Sequence, residues 1–539
     1  MPEAVRRLLG DPNGRRELLA ALPPLEDWPW THRSLLAEDL LLREGPWALD
    51  LLERARADDE WLVRLLRRLE HAEAVAGVPE GLGVLERAGV LEPATALEHL
   101  ELFHRLAHAP NPIRQPSAPA AIPAEAATPR DWTVLVYSNQ FDSDLFSFHD
   151  LKMAEANVDP ARVSVVYRMR RVDGADVADE FKRHHWVTWA DGNWSGVRTS
   201  LVRPSDAPYF ASGSPVLLEG PDADLDDTAN LSEFIRWGVE NFPARRYCLS
   251  LWNHGSHVKG RSLVEDCALP ISVDRFGREL RDGWRASAGS GRKLDLLILN
   301  GCNLASTELL YEVSEVAQFA FATQTRHNVP GDAFLYRMLS QPEQSSTRDM
   351  LRAYFDDMVV RGQQAYARNG IDTAFAASAI DLERLRNFAG ALGEVARAIL
   401  DEPGRDCSGL EAMLPAEDPQ FCGFEFDAGD LLRRLGQHPG RVGERARAAR
   451  ELYETDSRSP VMAHVHNERM AHLSGLNVYV KTPATVATVE RLWREAKRLG
   501  ADERFGERQA GEFAGHPYHE TLFARESRWG PALLHLLGR

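Results

Sequence analysis

The chain of 539 residues is longer than a single hydrophobic core usually serves, so we expect two or three domains. Its 63 basic and 80 acidic residues give a formal charge of −17, which argues against a nucleic-acid partner because phosphate binding depends on clustered Lys and Arg. No run approaches the roughly 18 to 20 uncharged apolar residues of a membrane-spanning helix, so we expect no membrane partner.

The cysteines are few, odd in number and far apart in the sequence. This pattern favours neither a disulfide framework nor a zinc knuckle. It predicts a reducing, cytoplasmic location in which at least one thiol is available for chemistry. The five cysteines are Cys248, Cys267, Cys302, Cys407 and Cys422.

The beginning of the chain is dense in Leu, Ala, Arg and Glu. Residues 35–42 and 61–69 carry apolar side chains at the spacing of an amphipathic helix. We therefore predict an all-α N-terminal domain over residues 1–108, with a regulatory or recruitment role. Residues 109–130 are rich in Pro and Ala, and proline at this density disrupts both helices and central strands, so we interpret them as a cleavable linker.

Beyond the linker, short apolar runs alternate with segments of helical spacing. Such runs are typical of strands buried on both faces of a parallel sheet, and the alternation predicts an α/β fold. We expect a core domain over residues 131–345 and a helix-rich C-terminal part over residues 346–539. Predicted helices cover residues 227–241 and 306–318, and residues 181–209 are expected to form a hairpin insertion. The predicted strands cover residues 132–137, 163–167, 247–252, 294–299, 319–323 and 476–480.

Two residues with useful chemistry follow two consecutive strands of this predicted sheet. His254 comes directly after one apolar run, and Cys302 comes after the next. Functional groups in parallel sheets gather at the carboxyl ends of the strands, so the two side chains are expected to lie close together. Their separation, 302 − 254 = 48 residues, agrees with the spacing of roughly 50 residues between histidine and cysteine in caspases.

The residue types suit nucleophilic catalysis. A thiolate is a strong nucleophile, and an imidazole can accept the thiol proton and later protonate a leaving amine. A glycine allows the backbone to approach a substrate carbonyl closely, so we expect the N–H groups of Gly255 and Cys302 to stabilise the oxyanion. A helix that begins near Ser306 favours the thiolate through its dipole.

The segments around these residues resemble the clostripain-like family of cysteine peptidases, in the caspase–gingipain clan. Residues 251–255 (LWNHG) are similar to the family's histidine block, and residues 294–306 (LDLLILNGCNLAS) are similar to its cysteine block. Weaker similarities extend the resemblance from about residue 132 to residue 483. It implies a caspase-like, mostly parallel sheet sandwiched by helices. It also implies a cysteine endopeptidase that cleaves protein substrates and is made as a zymogen.

Asn300 departs from the family's pattern. The family usually carries an aspartate two residues before the cysteine, where its carboxylate lines the pocket for a basic P1 side chain. An amide cannot form the bidentate ion pair with a guanidinium, so both a basic P1 residue and a small or polar one are open. Asn300 is expected to line the substrate pocket in either case.

Partners and cofactors follow from this interpretation. We expect protein substrates, and an activating protease or a regulatory partner that acts through the N-terminal domain, as suits a bacterial defence cascade against phage. No cofactor is predicted, and calcium is left open. His257 forms a His-x-x-His pair with His254, but no third zinc ligand lies nearby in sequence. Two alternatives remain: a catalytically silent caspase-like scaffold, and a hydrolase of another class, such as a thioesterase.

Overall fold

The structure is a computed structural model. It describes residues 119–139, 144–171, 194–205, 212–221, 228–252, 273–287, 292–325, 333–340, 346–355, 376–401, 425–480 and 521–536. The predicted N-terminal domain over residues 1–108 lies outside these residues. In the described part of the predicted linker, Ala126 is buried and the N–H of Ala120 donates to Val216 O at 2.8 Å, so this segment lies against the folded core.

The strands form one large sheet and one small one. They are β1 (Arg130–Ser138), β2 (Val163–Arg171), β3 (Gly196–Leu201), β4 (Val216–Gly220), β5 (Ala244–Trp252), β6 (Leu294–Asn300), β7 (Ala317–Thr323), β8 (Ala376–Asp381), β9 (Glu425–Asp427), β10 (Val461–His466) and β11 (Asn477–Tyr479). Within the described residues, the large sheet has nine strands in the order β10-β8-β7-β6-β5-β1-β2-β3-β4. The other two strands, β9 and β11, pair antiparallel.

The centre of the large sheet is parallel. Five adjacent strands, in the order β2-β1-β5-β6-β7, run parallel to one another. On the flanks, β3 and β8 run the opposite way, and β4 and β10 turn back again. Seven of the nine strands therefore point in one direction, and their carboxyl ends share one edge of the sheet. We call this edge the carboxyl edge, and the opposite one the amino edge.

Helices cover both faces of the sheet. They are α1 (Asp144–Asn157), α2 (Thr228–Asn241), α3 (Val273–Ser287), α4 (Thr307–Val313), α5 (Ala333–Leu339), α6 (Thr347–Tyr354), α7 (Leu382–Leu400), α8 (Ala428–Leu435), α9 (Arg441–Glu454), α10 (Leu522–Glu526) and α11 (Trp529–Leu536). On one face, Leu249 and Leu297 belong to the same buried cluster as Phe234 of α2 and Leu392 of α7. On the other, Phe321 of β7 packs edge-on against Tyr354 of α6. The predicted α/β architecture is confirmed.

The continuous apolar runs were located correctly by sequence. Each of the six predicted strands overlaps an observed one, and the helix predicted over residues 227–241 is α2. The helix predicted over residues 306–318 ends earlier, at Val313, because the chain turns and enters β7 at Ala317. The C-terminal part over residues 346–539 was expected to be helix-rich, but β8 and β10 lie within it and extend the large sheet beyond β7.

Only part of the predicted hairpin insertion is described. Residues 172–193 and 206–211 lie outside the described residues. Within residues 181–209, β3 pairs antiparallel with β2 on one side and with β4 on the other. The segment thus extends the large sheet. None of the helices in the described residues is both long and apolar enough to cross a membrane.

Candidate active site

The two strands that precede His254 and Cys302 are direct neighbours. β5 and β6 pair parallel, and their last residues, Trp252 and Asn300, are partners in the register. In sequence, His254 follows Trp252 by two residues, and Cys302 follows Asn300 by two residues. The prediction that these two residues follow adjacent parallel strands is confirmed.

The histidine itself lies outside the described residues. The gap covers residues 253–272 and includes His254, Gly255 and His257. The proposed general base and the proposed backbone donor of Gly255 stay predictions from the sequence.

Cys302 lies in the turn that follows β6. Its side chain is partly exposed and forms no disulfide. The next residue, Asn303, has a φ of +57°, a left-handed conformation that asparagine tolerates better than most residues. This reverses the chain direction immediately after the cysteine, so that residues 301–305 form a tight loop at the carboxyl edge. We call them the cysteine loop.

Hydrogen bonds from the end of β7 hold the cysteine loop. The N–H of Asn303 donates to Thr325 O at 2.7 Å, and the N–H of Ala305 donates to Thr323 O at 2.7 Å. The hydroxyl of Thr323 donates to Gly301 O at 2.8 Å. The loop is thus bonded to its neighbouring strand both before and after Cys302.

Helix α4 begins directly after the loop. Ser306 is its N-cap, and the Ser306 hydroxyl accepts the N–H of Leu309 at 3.1 Å. Such caps satisfy one of the N–H groups that a helix leaves unpaired at its first turn. The helix start predicted near Ser306 is therefore correct to within one residue.

Asn300 is buried at the end of β6. Its side-chain Nδ2 donates to Ser250 Oγ of the neighbouring strand β5 at 2.9 Å. The amide is therefore turned toward β5. Its role in a substrate pocket stays a prediction.

The remaining cysteine and histidine candidates are wholly or partly buried, or lie outside the described residues. Cys248 is fully buried in β5, as expected for a core residue. Cys267, Cys407 and Cys422 lie outside the described residues. His464 is on the edge strand β10, where burial and, to a smaller extent, the charge of the neighbouring His466 together lower its pKa to about 3.

Several polar residues near the cysteine loop were not singled out from the sequence. Gln324, just after β7, and Asn477, at the start of β11, are both fully buried and hydrogen-bonded to each other. They are 153 residues apart, so no local pattern connects them. Asn477 does lie in residues 473–479, one of the weaker segments of the family resemblance, and this was the available signal.

The arrangement supplies the parts that thiol chemistry needs at this edge. Cys302 is partly exposed, its backbone is fixed on both sides, and an apolar sheet lies beneath it. Across the part of the chain that the structure describes, no cluster of three or more His, Cys, Asp or Glu side chains is placed to hold a metal ion.

A comparison with protein families agrees with the family resemblance seen in the sequence. Residues 211–414 match the model of the clostripain family of peptidases. A comparison with curated proteins found no match.

Two solved structures align with the chain. A secreted C11 cysteine protease of Bacteroides thetaiotaomicron, "iotapain", aligns with a TM-score of 0.44 and 13% identity over 65% of this chain and 93% of its own. An inactive zymogen C11 protease of Parabacteroides distasonis aligns with a TM-score of 0.41 and 14% identity over 68% of this chain and 96% of its own.

Proposed function

We propose that the chain is a cysteine protease of the clostripain family in which Cys302 is the nucleophile and His254 the general base, and the family match over residues 211–414 supports this. The observation that carries the proposal is the pairing of Trp252 with Asn300 at the ends of two adjacent parallel strands. The proposed reactive residues follow these partners at the same distance in sequence. The reaction is the cleavage of protein substrates through an acyl-enzyme.

The chemistry has two stages. His254 takes the proton of the Cys302 thiol, and the thiolate attacks the carbonyl carbon of the scissile peptide bond. The N–H groups of Cys302 and Gly255 donate to the developing oxyanion. The tetrahedral species collapses, the C–N bond breaks, and His254 protonates the leaving amine. Water, deprotonated by His254, then attacks the thioester carbonyl. The C–S bond breaks, the Cys302 thiolate takes the proton back from His254, and the acid product is released.

The surroundings of Cys302 support a nucleophile rather than a buried core thiol. Its side chain is partly exposed, whereas Cys248, on the adjacent strand, is fully buried. Fixed hydrogen bonds on either side of Cys302 hold the backbone that carries both the thiol and the proposed N–H donor. Preorganised donors of this kind account for much of the catalysis in acyl transfer.

The P1 preference follows from Asn300 in this proposal. Its amide is neutral, and its Nδ2 is hydrogen-bonded to Ser250, so this position supplies no carboxylate for an arginine or lysine side chain. We expect the wild-type protein to accept small or polar P1 residues at least as well as basic ones.

We also propose that the protein is a cytoplasmic zymogen in a bacterial defence cascade, activated by proteolysis or by a partner of the N-terminal domain. Deletion of residues 1–118, which leaves the segment packed on the core and β1 intact, followed by assay of a mixed peptide library, tests this. A rise in activity supports a silencing role for the N-terminal domain, and unchanged activity contradicts it.

The reaction as proposed needs no cofactor. Activity that survives chelation with EDTA supports this. Activity that is lost on chelation and restored by calcium overturns it.

The assignment of the nucleophile is tested by turnover of the same library. Cys302→Ala is expected to abolish cleavage. Cys248→Ala, the matched change on the adjacent strand, is expected to leave it nearly unchanged. Cleavage that persists in Cys302→Ala contradicts the proposal. A wild-type protein that keeps its fold and stays silent after limited proteolysis and after removal of the N-terminal domain favours the alternative of a binding scaffold.

A further inference from the structure

The cysteine loop is held from two directions by residues that lie far apart in the chain. From β7, the Thr323 hydroxyl donates to Gly301 O at 2.8 Å, one residue before Cys302. From β11, the N–H of Asn477 donates to Ala305 O at 2.8 Å, three residues after it. The cysteine therefore lies in a short segment with both ends anchored.

Asn477 also anchors the start of the helix that follows. Its backbone O accepts the hydroxyl of Thr307, the first residue of α4, at 2.8 Å. Ser306 forms a parallel bridge with Asn477. Asn477 thus joins the end of the cysteine loop to α4 through its backbone. Its side chain makes separate contacts.

The Asn477 side chain pairs with Gln324. Gln324 Nε2 donates to Asn477 Oδ1 at 2.9 Å, and Asn477 Nδ2 donates back to Gln324 O at 3.0 Å. Gln324 directly follows Thr323, so the two anchors of the loop are tied to each other. We call Thr323, Gln324 and Asn477 the loop clamp.

The clamp is completely buried, and its polar groups are closely matched. Gln324 Oε1 accepts the N–H of Gly475 at 2.9 Å, and Gln324 Nε2 also donates to Asp427 Oδ2 at 2.8 Å. Gly475 has a φ of +111°, a conformation that side chains disfavour, and this turn aims its N–H at Gln324. Burying polar groups is costly unless each one is hydrogen-bonded, and a satisfied network fixes one arrangement of the segments that it joins.

We propose that the loop clamp positions Cys302 for catalysis. This inference rests on the proposed function of Cys302. Thr323, Gln324 and Asn477 act as positioning residues: they fix the backbone that carries the nucleophile and its N–H donor. Small displacements of such groups reduce turnover strongly, because the reactive geometry must be reached before the thiol can attack.

The chain offers a matched pair of threonines for the test. Thr323 and Thr133 are both fully buried in central strands, and the hydroxyl of each donates to a backbone carbonyl at 2.8 Å, Thr133 to Phe242 O. Thr133 lies near the amino edge, five residues before the end of β1. Replacement of either by Val keeps the shape and removes the hydroxyl, and replacement by Ser keeps the hydroxyl.

The experiment measures kcat, KM and melting temperature for wild type, T323V, T323S, T133V and T133S with a peptide chosen from the library. We expect both Val variants to lose similar stability, because each leaves a buried carbonyl without its hydroxyl partner. Only T323V is expected to lose about tenfold in kcat with little change in KM. T323S is expected to recover most of the lost kcat.

Equal kcat in T323V and T133V overturns the clamp, as does a loss in T323V that appears only in KM. If wild-type protein cleaves no peptide even after limited proteolysis and removal of the N-terminal domain, the proposed function fails, and alkylation of Cys302 then tests the clamp. A severalfold change in the rate at which iodoacetamide alkylates Cys302 in T323V, with none in T133V, supports the clamp. Equal rates in the two variants contradict it.

Discussion

The carboxyl and amino edges of the same sheet use different polar chemistry. At the amino edge, Asp295 of β6 accepts the N–H of Tyr247 at 2.9 Å and forms an ion pair with Arg292 at 3.4 Å. At the carboxyl edge, Asn300 of the same strand makes a neutral hydrogen bond to Ser250. The charged contact of Asp295 and the neutral contact of Asn300 thus lie five positions apart on the same strand.

The difference shows what each edge has to achieve. Burial raises the pKa of Asp295 while its hydrogen bond from Tyr247 and the charge of Arg292 oppose this, so the amino edge contains a group whose charge depends on pH. At the carboxyl edge, the neutral pair of Asn300 and Ser250 keeps its hydrogen bond across a wide pH range. The carboxyl beside the loop clamp is Asp427, which accepts a hydrogen bond from Gln324 and whose pKa is raised by burial. We therefore expect the Asp295 end of β6 to contribute mainly to stability and the Asn300 end mainly to the geometry for catalysis, and the predictions for His254 and Asn300 below test this division.

The largest effect is expected for the proposed general base. His254→Ala should lower kcat/KM by about 10²- to 10⁴-fold, the usual contribution of general acid–base catalysis. His464→Ala is the control, because that imidazole lies on the edge strand β10 and is held neutral by burial, with its pKa lowered to about 3. Steady-state kinetics with one peptide measures both. Similar losses in the two variants would show that the site is not where we propose.

The next largest effect concerns stability against pH, through Glu312 on α4. Burial raises the pKa of this carboxyl to about 7, and its carboxylate accepts the N–H of Leu522. The folded protein therefore favours the protonated form. Its contribution is complete below the ordinary pKa of 4.5 and is lost as the pH rises through about 7. Up to about 3 kcal/mol of the free energy of unfolding is involved.

Denaturant unfolding of wild type and Glu312→Gln at pH 5 and pH 8 measures this contribution. The wild type should be less stable at the higher pH, and the variant should lose most of that difference. The kcat of the variant at a fixed pH should stay close to that of wild type. A pH dependence that is unchanged in Glu312→Gln contradicts the assignment.

A smaller effect is expected when a charge is placed at the carboxyl edge. Asn300→Asp introduces the carboxylate that the family usually carries, and we expect it to raise the preference for Arg or Lys at P1 by about tenfold. Asp295→Asn is the control in the same strand, at the amino edge, and should leave the P1 profile unchanged. P1 profiling of both variants with a peptide library measures the two effects. An unchanged profile in Asn300→Asp removes position 300 from the pocket.

The smallest expected effect is at the turn after the nucleophile. Asn303 has a φ of +57°, so Asn303→Ala should cost about 1 kcal/mol of stability, whereas Asn303→Gly should cost little. Thermal unfolding measures both. Equal destabilisation by Ala and Gly would indicate that the asparagine side chain, and not its backbone conformation, is what matters.

The sequence predicted the strands whose signal is local. The apolar runs that became β1, β5 and β6 are continuous, and buried parallel strands require such runs. Strand β8 was missed because its residues 376–381, AASAID, are small and rich in alanine, which favours helix. Its place beside β7 is decided by burial in the sheet and not by its own propensity.

The candidate site was predictable to a similar extent. The positions of His254 and Cys302 follow from strand ends, which are visible in sequence. The loop clamp was not predictable, because Gln324 and Asn477 meet only when β7 and β11 come together in the folded chain. In the sequence, nothing local distinguishes such a buried amide from an ordinary polar residue.

The most direct test of the central claim is to map where a reactive peptide attaches. Wild-type protein is treated with a peptidyl acyloxymethyl ketone and digested, and the labelled residue is identified by mass spectrometry. The account predicts a single label on Cys302, slowed at least about a hundredfold in His254→Ala. A label on another residue, or labelling that persists in Cys302→Ala, would contradict it.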